Sequence, residues 1–169
     1  MKEKKYGITE LNQMSQGKFT KALGDIWEDT PEIAEKAWHK KPFLNLDSLY
    51  QSMVDIVNDM NKEEQLALIK AHPDLGSKVK MAEASIQEQA GVGLDRLSES
   101  EYQRFQSLNQ TYKDKFGFPF IVAVKNHTKE SILQEFETRL KNTKEREKQQ
   151  ALVEISKIAR LRLESLFES

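Results

Sequence analysis

The chain has 169 residues, 38% hydrophobic and 31% charged, with a net charge of -1. That length supports one soluble domain with its own core, and the interleaved charges exclude a basic nucleic-acid surface and a binder of anionic membranes. There is no cysteine, which excludes disulfides, thiolate nucleophiles and Cys-ligated metals, and the three histidines lack metal-ligand spacing.

The polar start Met1-Lys2-Glu3-Lys4-Lys5 has no apolar signal region, and no later run approaches the roughly 20 apolar residues of a membrane span, so an intracellular protein is expected. Residues 1–8 are expected to be flexible. Few glycines and prolines against abundant Leu, Lys, Glu and Gln favour helix. Thr9 or Ser15 can cap a first helix carrying Phe19, Leu23, Ile26 and Trp27 at three- and four-residue spacings. Pro31 opens the next, with Ile33, Ala34, Ala37 and Trp38 on its apolar side, and Lys40-Lys41-Pro42-Phe43 breaks it. Asp47 or Ser48 then caps a helix with Leu49, Met53, Ile56, Val57 and Met60, and Asn61 caps another with Leu66, Leu68 and Ile69.

That helix should end at or just before His72, because Pro73 pushes the preceding residue out of the helical region. A histidine at a helix C-terminus is favoured as imidazolium by about 0.3–1 kcal/mol, which makes it a proton donor near neutral pH; the plainer alternative is a surface C-cap. Ser85-Ile86-Gln87-Glu88 has capping-box form and opens a short helix, followed by Gln89 and the Gly91-Val92-Gly93-Leu94 break. Ser98 to Glu101 repeats the form before a longer helix with Tyr102, Phe105, Leu108, Asn109 and Tyr112 on one side.

Phe116-Gly117-Phe118-Pro119-Phe120-Ile121-Val122-Ala123-Val124 is the most apolar stretch, and with no partner strand in view it reads as a buried extended loop. Such a loop must satisfy its own N–H and C=O groups, and one way is to give them to a ligand. Thr128 caps a helix through Ile132, Leu133, Phe136 and Leu140. A last helix runs from about Lys144 to Phe167, with Leu152, Ile155, Ala159, Leu163 and Leu166 as its buried stripe. Its opening run Lys144-Glu145-Arg146-Glu147-Lys148 reads as a solvated helix start. At about 100° per residue, Arg162 lies roughly 70° from the centre of the stripe and Arg160 about 90° on the opposite flank, so either arginine can snorkel or turn inward to pair. His39 and His127 read as surface residues. The elements define an all-α, single-domain multi-helix bundle with one buried extended loop.

Ala71-His72-Pro73-Asp74-Leu75-Gly76, Ser85-x-x-Glu88-Gln89 with Gly93-Leu94, Phe116-Gly117-Phe118-Pro119-Phe120-Ile121 and Arg160-Leu161-Arg162-Leu163 together resemble the family of 2-oxo-4-hydroxy-4-carboxy-5-ureidoimidazoline (OHCU) decarboxylases. The resemblance runs from about Thr9 to Phe167, with one such domain expected over residues 1–169. Ala84, where the family often has Glu, and Gly91-Val92 depart from its pattern without removing a group the chemistry needs. The resemblance implies a cofactor-free, all-helical carboxy-lyase of urate degradation that converts OHCU to (S)-allantoin. It also implies a homodimer, a cytoplasmic or, in a eukaryote, peroxisomal location, and occasional fusion to urate oxidase. The only partner expected otherwise is the small-molecule substrate, with no nucleic acid and no membrane.

The resemblance assigns acid/base catalysis to His72, with Glu88 as companion. On local pattern alone Glu88 is a capping-box residue; a carboxylate beside His72 would favour the charged imidazole. Gln89, otherwise an exposed helix residue, matches a position that donates to the ring or ureido groups. Ser85 is both cap and ligand candidate, and Pro73 shapes the site. Phe118 and Phe120 read first as core; the backbone of Phe120, Ile121, Val122 and Ala123 is the better candidate for binding a flat polar heterocycle. Arg162 is the expected anion partner. A bidentate clamp on the leaving carboxylate would stabilise the ground state and be lost as carbon dioxide forms, so Arg162 is expected to hold the ureido or ring carbonyl end. Two other readings stay open: a non-catalytic helical binding module, and an enzyme for another ureido compound of purine breakdown.

Overall fold

The protein is described by a computed structural model covering residues 5–76 and 83–168, with the backbone alone at residues 83–85. It is all-α: nine α-helices, one 3-10 turn at Trp38–Lys40 and an isolated bridge between Tyr6 and Phe167 make up its regular structure among the described residues. The chain divides into two compact units, one of residues 1–68 and 156–169 and one of residues 69–155.

In the first unit, the amide of Tyr6 donates to the Leu166 carbonyl at 2.7 Å and its carbonyl accepts from the Glu168 amide at 2.8 Å. The chain is therefore tied down from Tyr6, short of the eight residues expected to be flexible. Helices α1 (Ile8–Asn12) and α2 (Gln16–Leu23) replace the single first helix expected, with Ser15 capping α2 through the Lys18 amide. Thr9 lies inside α1 and caps nothing. Gly24 and Asp25, both weak helix formers, end α2 before Ile26 and Trp27, which are buried from the turn that follows. Helix α3 (Glu32–Ala37) starts after Pro31 as the spacing predicts, and packs on α2 and on α4 (Leu46–Asp59). The cap of α4 is Asn45 rather than Asp47 or Ser48: its Oδ1 accepts from the Ser48 amide at 2.9 Å, and Ser48 Oγ returns the bond to the Asn45 amide. Leu49, Met53, Ile56 and Val57 form the buried face of α4.

Helix α5 (Lys62–Lys70), capped by Asn61, leads into the second unit, which contains α6 (Glu83–Ala90), α7 (Glu99–Phe116), α8 (Lys129–Arg139) and the first half of α9 (Lys144–Leu166). The capping boxes at Ser98 and Thr128 form, and α7 ends at Gly117, which takes the left-handed φ of 82° that makes glycine the natural stop. The following segment carries no helix or strand, and Phe118, Phe120, Ile121, Val122 and Val124 are buried as expected. Phe120 stacks on Phe136 at 3.8 Å between ring centroids, and Tyr112 meets Phe116, Phe118 and Phe120.

The start of α9 is not a solvated run. Glu147 is wholly buried, and its Oε1 accepts from Arg139 Nε at 2.8 Å and from the Tyr112 hydroxyl at 2.6 Å, while Oε2 accepts from Asn142 Nδ2 at 2.8 Å. The carboxylate is kept in the core because three donors replace its water. Burial, reinforced by the hydrogen bond to Glu147, pushes the Tyr112 phenol well above its usual range. A raised folded-state value means that this contribution to stability is complete below about pH 10 and is lost as the pH climbs through the folded-state value. Tyr112→Phe should lower stability at pH 7 by about 1–3 kcal/mol, since it strips a donor from a buried carboxylate. It should also flatten the loss of stability above pH ~10. Urea unfolding at pH 7 and 10.5 measures both.

Candidate active site

Helix α5 ends at Lys70, two residues before His72, and the His72 amide closes the last turn on the Ile69 carbonyl at 3.2 Å. Pro73 explains the stop, as the sequence requires. His72 itself is buried, at 7% exposure, which removes the surface C-cap alternative.

The turn after it is gripped by three side chains of the same unit. Gln89 Oε1 accepts from the Gly76 amide at 2.9 Å, Asn109 Nδ2 donates to the Leu75 carbonyl at 2.9 Å, and Lys113 Nζ reaches Asp74 Oδ2 at 2.7 Å. Gly76 has a φ of 70°, the left-handed conformation that favours glycine; a Cβ there would lie 2.7 Å from Leu97 Cδ1, the end of a flexible side chain that can give way.

Helix α6 begins at Glu83, two residues before Ser85, so Ser85 and Glu88 do not form the capping box that their spacing suggests. Glu88 is instead in the last turn of α6, half-buried. The Ser85 side chain lies outside the described residues. Gln89 is buried rather than exposed, turned to Gly76, and Pro73 beside His72 is half-buried.

The apolar segment is held at alternate residues. The Ile121 carbonyl accepts from Arg139 Nη1 at 2.6 Å, and the Ala123 amide donates to Glu154 Oε1 at 3.0 Å, with Gln150 Nε2 on Glu154 Oε2 at 3.0 Å. Arg139 also lies over the Phe120 ring, 4.4 Å from its centroid, a cation–π contact in a dry setting.

Arg162 belongs to the first unit and is buried, with Nη1 3.4 Å from Glu28 Oε2 and 3.3 Å from the Asp25 carbonyl. Arg160 instead pairs with Asp47 at 2.7 Å and Glu164 at 2.8 Å, over Tyr50, at the surface. Of the two arginines flanking the stripe, Arg162 therefore turns inward. His39 is exposed against Trp38; His127 is half-buried and bonded through Nδ1 to Ser131 Oγ at 2.9 Å, part of the α8 start rather than a solvated side chain.

Glu28, Arg139 and Glu154 escape the sequence reading, Glu147 is placed there in a solvated run, and Asn109 is placed on the right face of its helix but given no role, although some signal exists. Glu147 stands four residues before Ala151 on the row that continues to Ile155, Ala159 and Leu163, and Arg139 follows Ile132 and Phe136 on the buried face of α8. Glu28 lies in a turn, where no periodicity points inward. Among the described residues no group of three or more His, Asp or Glu side chains is placed to hold a metal ion.

Within one unit of this all-α scaffold, a buried histidine on a pinned turn and a half-buried carboxylate on the next helix are groups of the kind an acid–base enzyme uses. The OHCU decarboxylase family model matches residues 12–164, and the chain belongs to that family. The chain is 45% identical to the OHCU decarboxylase of Halalkalicoccus jeotgali, over 94% of this chain and 90% of that one. It is 46% identical to the uric acid degradation bifunctional protein PucL of Bacillus subtilis (strain 168), over 94% of this chain but only 32% of that protein. Among solved structures, an (S)-allantoin synthase superposes with a TM-score of 0.80 at 31% identity, covering 97% of this chain and 55% of that one.

The grip on the turn after His72 has a direct consequence. Gly76→Ala places a Cβ on a residue at left-handed φ, and should destabilise the protein by about 1–2 kcal/mol in urea unfolding.

Proposed function

We propose that this chain catalyses the decarboxylation of OHCU to (S)-allantoin in urate degradation, without a cofactor. The observation that carries the reading is the buried His72 on a turn fixed at Asp74, Leu75 and Gly76 by side chains of α6 and α7. Membership of the family over residues 12–164 supports the substrate, and supports treating residues 1–169 as one domain of that kind.

The substrate carbon that carries the carboxylate and a hydroxyl is itself a member of the imidazoline ring, next to the ring C=N, which is conjugated with the ring carbonyl. When the bond to the carboxylate breaks, its electron pair can enter that conjugated ring, carbon dioxide leaves, and a proton delivered to one face sets the handedness of the product. The ring itself is the electron sink, so the protein has to supply orientation, donors to the developing charge and the proton. His72 is the acid/base group, with Glu88 as the carboxylate companion. With its Oε1 committed to Gly76, Gln89 offers its amide NH₂ to the ring or ureido groups. Pro73 adds a contact beside His72, and the family resemblance supports Ser85 as a further ligand.

In the segment Phe120 to Ala123, the Ala123 amide is already spent on Glu154, which leaves Phe120, Ile121 and Val122 as the backbone donors proposed for the heterocycle. Arg162 holds the ureido or ring carbonyl end. A homodimer is supported by the family resemblance. Functional association with urate oxidase chemistry is supported by the bifunctional relative, of which this chain spans about a third. No helix of the described residues is long and apolar enough to cross a membrane; we place the enzyme in the cytoplasm, or in the peroxisome of a eukaryote.

OHCU made in situ from urate with urate oxidase and hydroxyisourate hydrolase, followed by circular dichroism, tests the reading. The wild-type chain should give a burst of (S)-allantoin, and His72→Asn should slow it by at least about 10²-fold. Racemic allantoin at the uncatalysed rate from folded wild-type protein would overturn the proposal.

A further inference from the structure

Glu28 is 2% exposed, as deeply buried as the core around it, yet it carries a carboxylate. It sits in the turn between α2 and α3, where Thr30 Oγ1 donates to the Glu28 carbonyl at 2.8 Å and Asp29 takes a left-handed φ of 47°. A non-glycine residue at positive φ is uncommon and costs energy, so this turn is held in a demanding shape. Among its contacts, Glu28 Oε2 lies 3.4 Å from Arg162 Nη1, and the Asp25 carbonyl of the same turn accepts from the same nitrogen.

We propose that Glu28 is a specificity-determining and positioning residue that acts through Arg162: it neutralises the guanidinium, so that Arg162 binds a neutral carbonyl of the ureide and does not clamp the carboxylate that must leave. The inference rests on the reading of Arg162 as a substrate-binding residue. An uncompensated buried guanidinium attracts whatever anion reaches it, and OHCU carries one. That attraction would be strongest in the ground state and vanish as carbon dioxide forms, lowering KM while raising the barrier. With Glu28 in place, the attraction of Arg162 for a substrate carboxylate is offset by repulsion from Glu28. A hydrogen bond to a ring carbonyl survives that neutralisation, since it depends on the direction of one N–H. It strengthens when the departing electron pair enters the ring and loads negative charge on that oxygen, which is the pattern that raises kcat.

The test compares Glu28→Gln, Glu28→Asp and Arg162→Lys with wild type. Each is assayed for KM and kcat with OHCU and for competitive inhibition by allantoin, which is neutral, and by allantoate, which is anionic. Glu28→Gln keeps size and an acceptor for Nη1 but removes the charge. It should lower both KM and kcat, kcat by about 10-fold or more, and shift the inhibition ratio toward allantoate by a similar factor. Glu28→Asp keeps the charge and should retain the wild-type ratio, which keeps the proposal testable if the glutamine variant does not fold. A rise in KM at unchanged kcat in Glu28→Gln, an unchanged inhibition ratio there, or a shifted ratio in Glu28→Asp would overturn the role of Glu28. If Arg162→Lys leaves KM and both inhibition constants untouched, the reading of Arg162 falls and this inference with it, whereas absence of wild-type turnover would instead strike the decarboxylase reading.

Discussion

Main chain that leaves a helix inside a protein with no sheet must find its hydrogen bonds in side chains, and this constraint shapes the second unit. The turn after His72 and the segment from Phe118 to Val124 both run through buried surroundings without regular structure. Gln89, Asn109, Arg139 and Glu154 answer them, each from a helix and each on one main-chain group. A backbone N–H or C=O left unpaired in such a place costs about 1–3 kcal/mol, so the four polar side chains are requirements of the fold before they are anything else. Because helices fix their own side chains, the two segments inherit that rigidity. A helical protein thereby gains fixed, polar main-chain surface of the kind that sheets and loops supply in other folds.

The same economy explains the buried charges. Arg139 cannot enter the core on the strength of one carbonyl, and Glu147 brings the counter-charge that makes its burial tolerable. The carboxylate is then saturated by Tyr112 and Asn142, which fastens α7 and the start of α9 to the end of α8. Removing one member of such a pair typically costs about 3–5 kcal/mol, because the other is stranded, whereas an intact buried pair is often no more stabilising than well-packed apolar residues. The pair Arg162–Glu28 in the first unit has the same chemistry at looser geometry, 3.4 Å against 2.8 Å. The tighter pair, sealed by a phenol and an amide, serves the fold; the looser one holds the guanidinium of Arg162 in a buried position with less rigid geometry.

Much of the helical layout is legible in the residues. Pro31, Pro73, Asn61, Ser98 and Thr128 act through local stereochemistry that does not depend on what packs above them, and α3, α5, α7 and α8 begin or end where they direct. Ser85-x-x-Glu88 has the same form and is misleading, since a capping box is only a cap if the helix starts there, and α6 starts at Glu83. The site is legible in part: His72 and Arg162 stand out by position, and both are buried. The partnerships of the second unit's buried polar residues are not, because Asn109, Glu147 and Glu154 are ordinary helix-surface residue types that bond to partners 31 to 35 residues away in the chain. Periodicity reports which face of a helix is apolar; it cannot report which charged residue on that face has an answering group.

A decarboxylase that relies on its substrate's ring as electron sink gains most from an environment that treats the two ends of the molecule differently. The leaving carboxylate should meet as little positive charge as possible, because any attraction to it is lost on the way to neutral carbon dioxide, whereas donors to the ring oxygens gain as charge accumulates there. Under the proposed function, main-chain amides and a glutamine NH₂ are donors that bring no net cation, and an arginine balanced by a glutamate brings little. Under the proposed function the one proton that must move falls to His72. That residue leads into a turn whose main chain is bonded at Leu75 and Gly76 by Asn109 and Gln89, so the direction of proton delivery, and with it the handedness of the product, is governed by the protein before the substrate arrives.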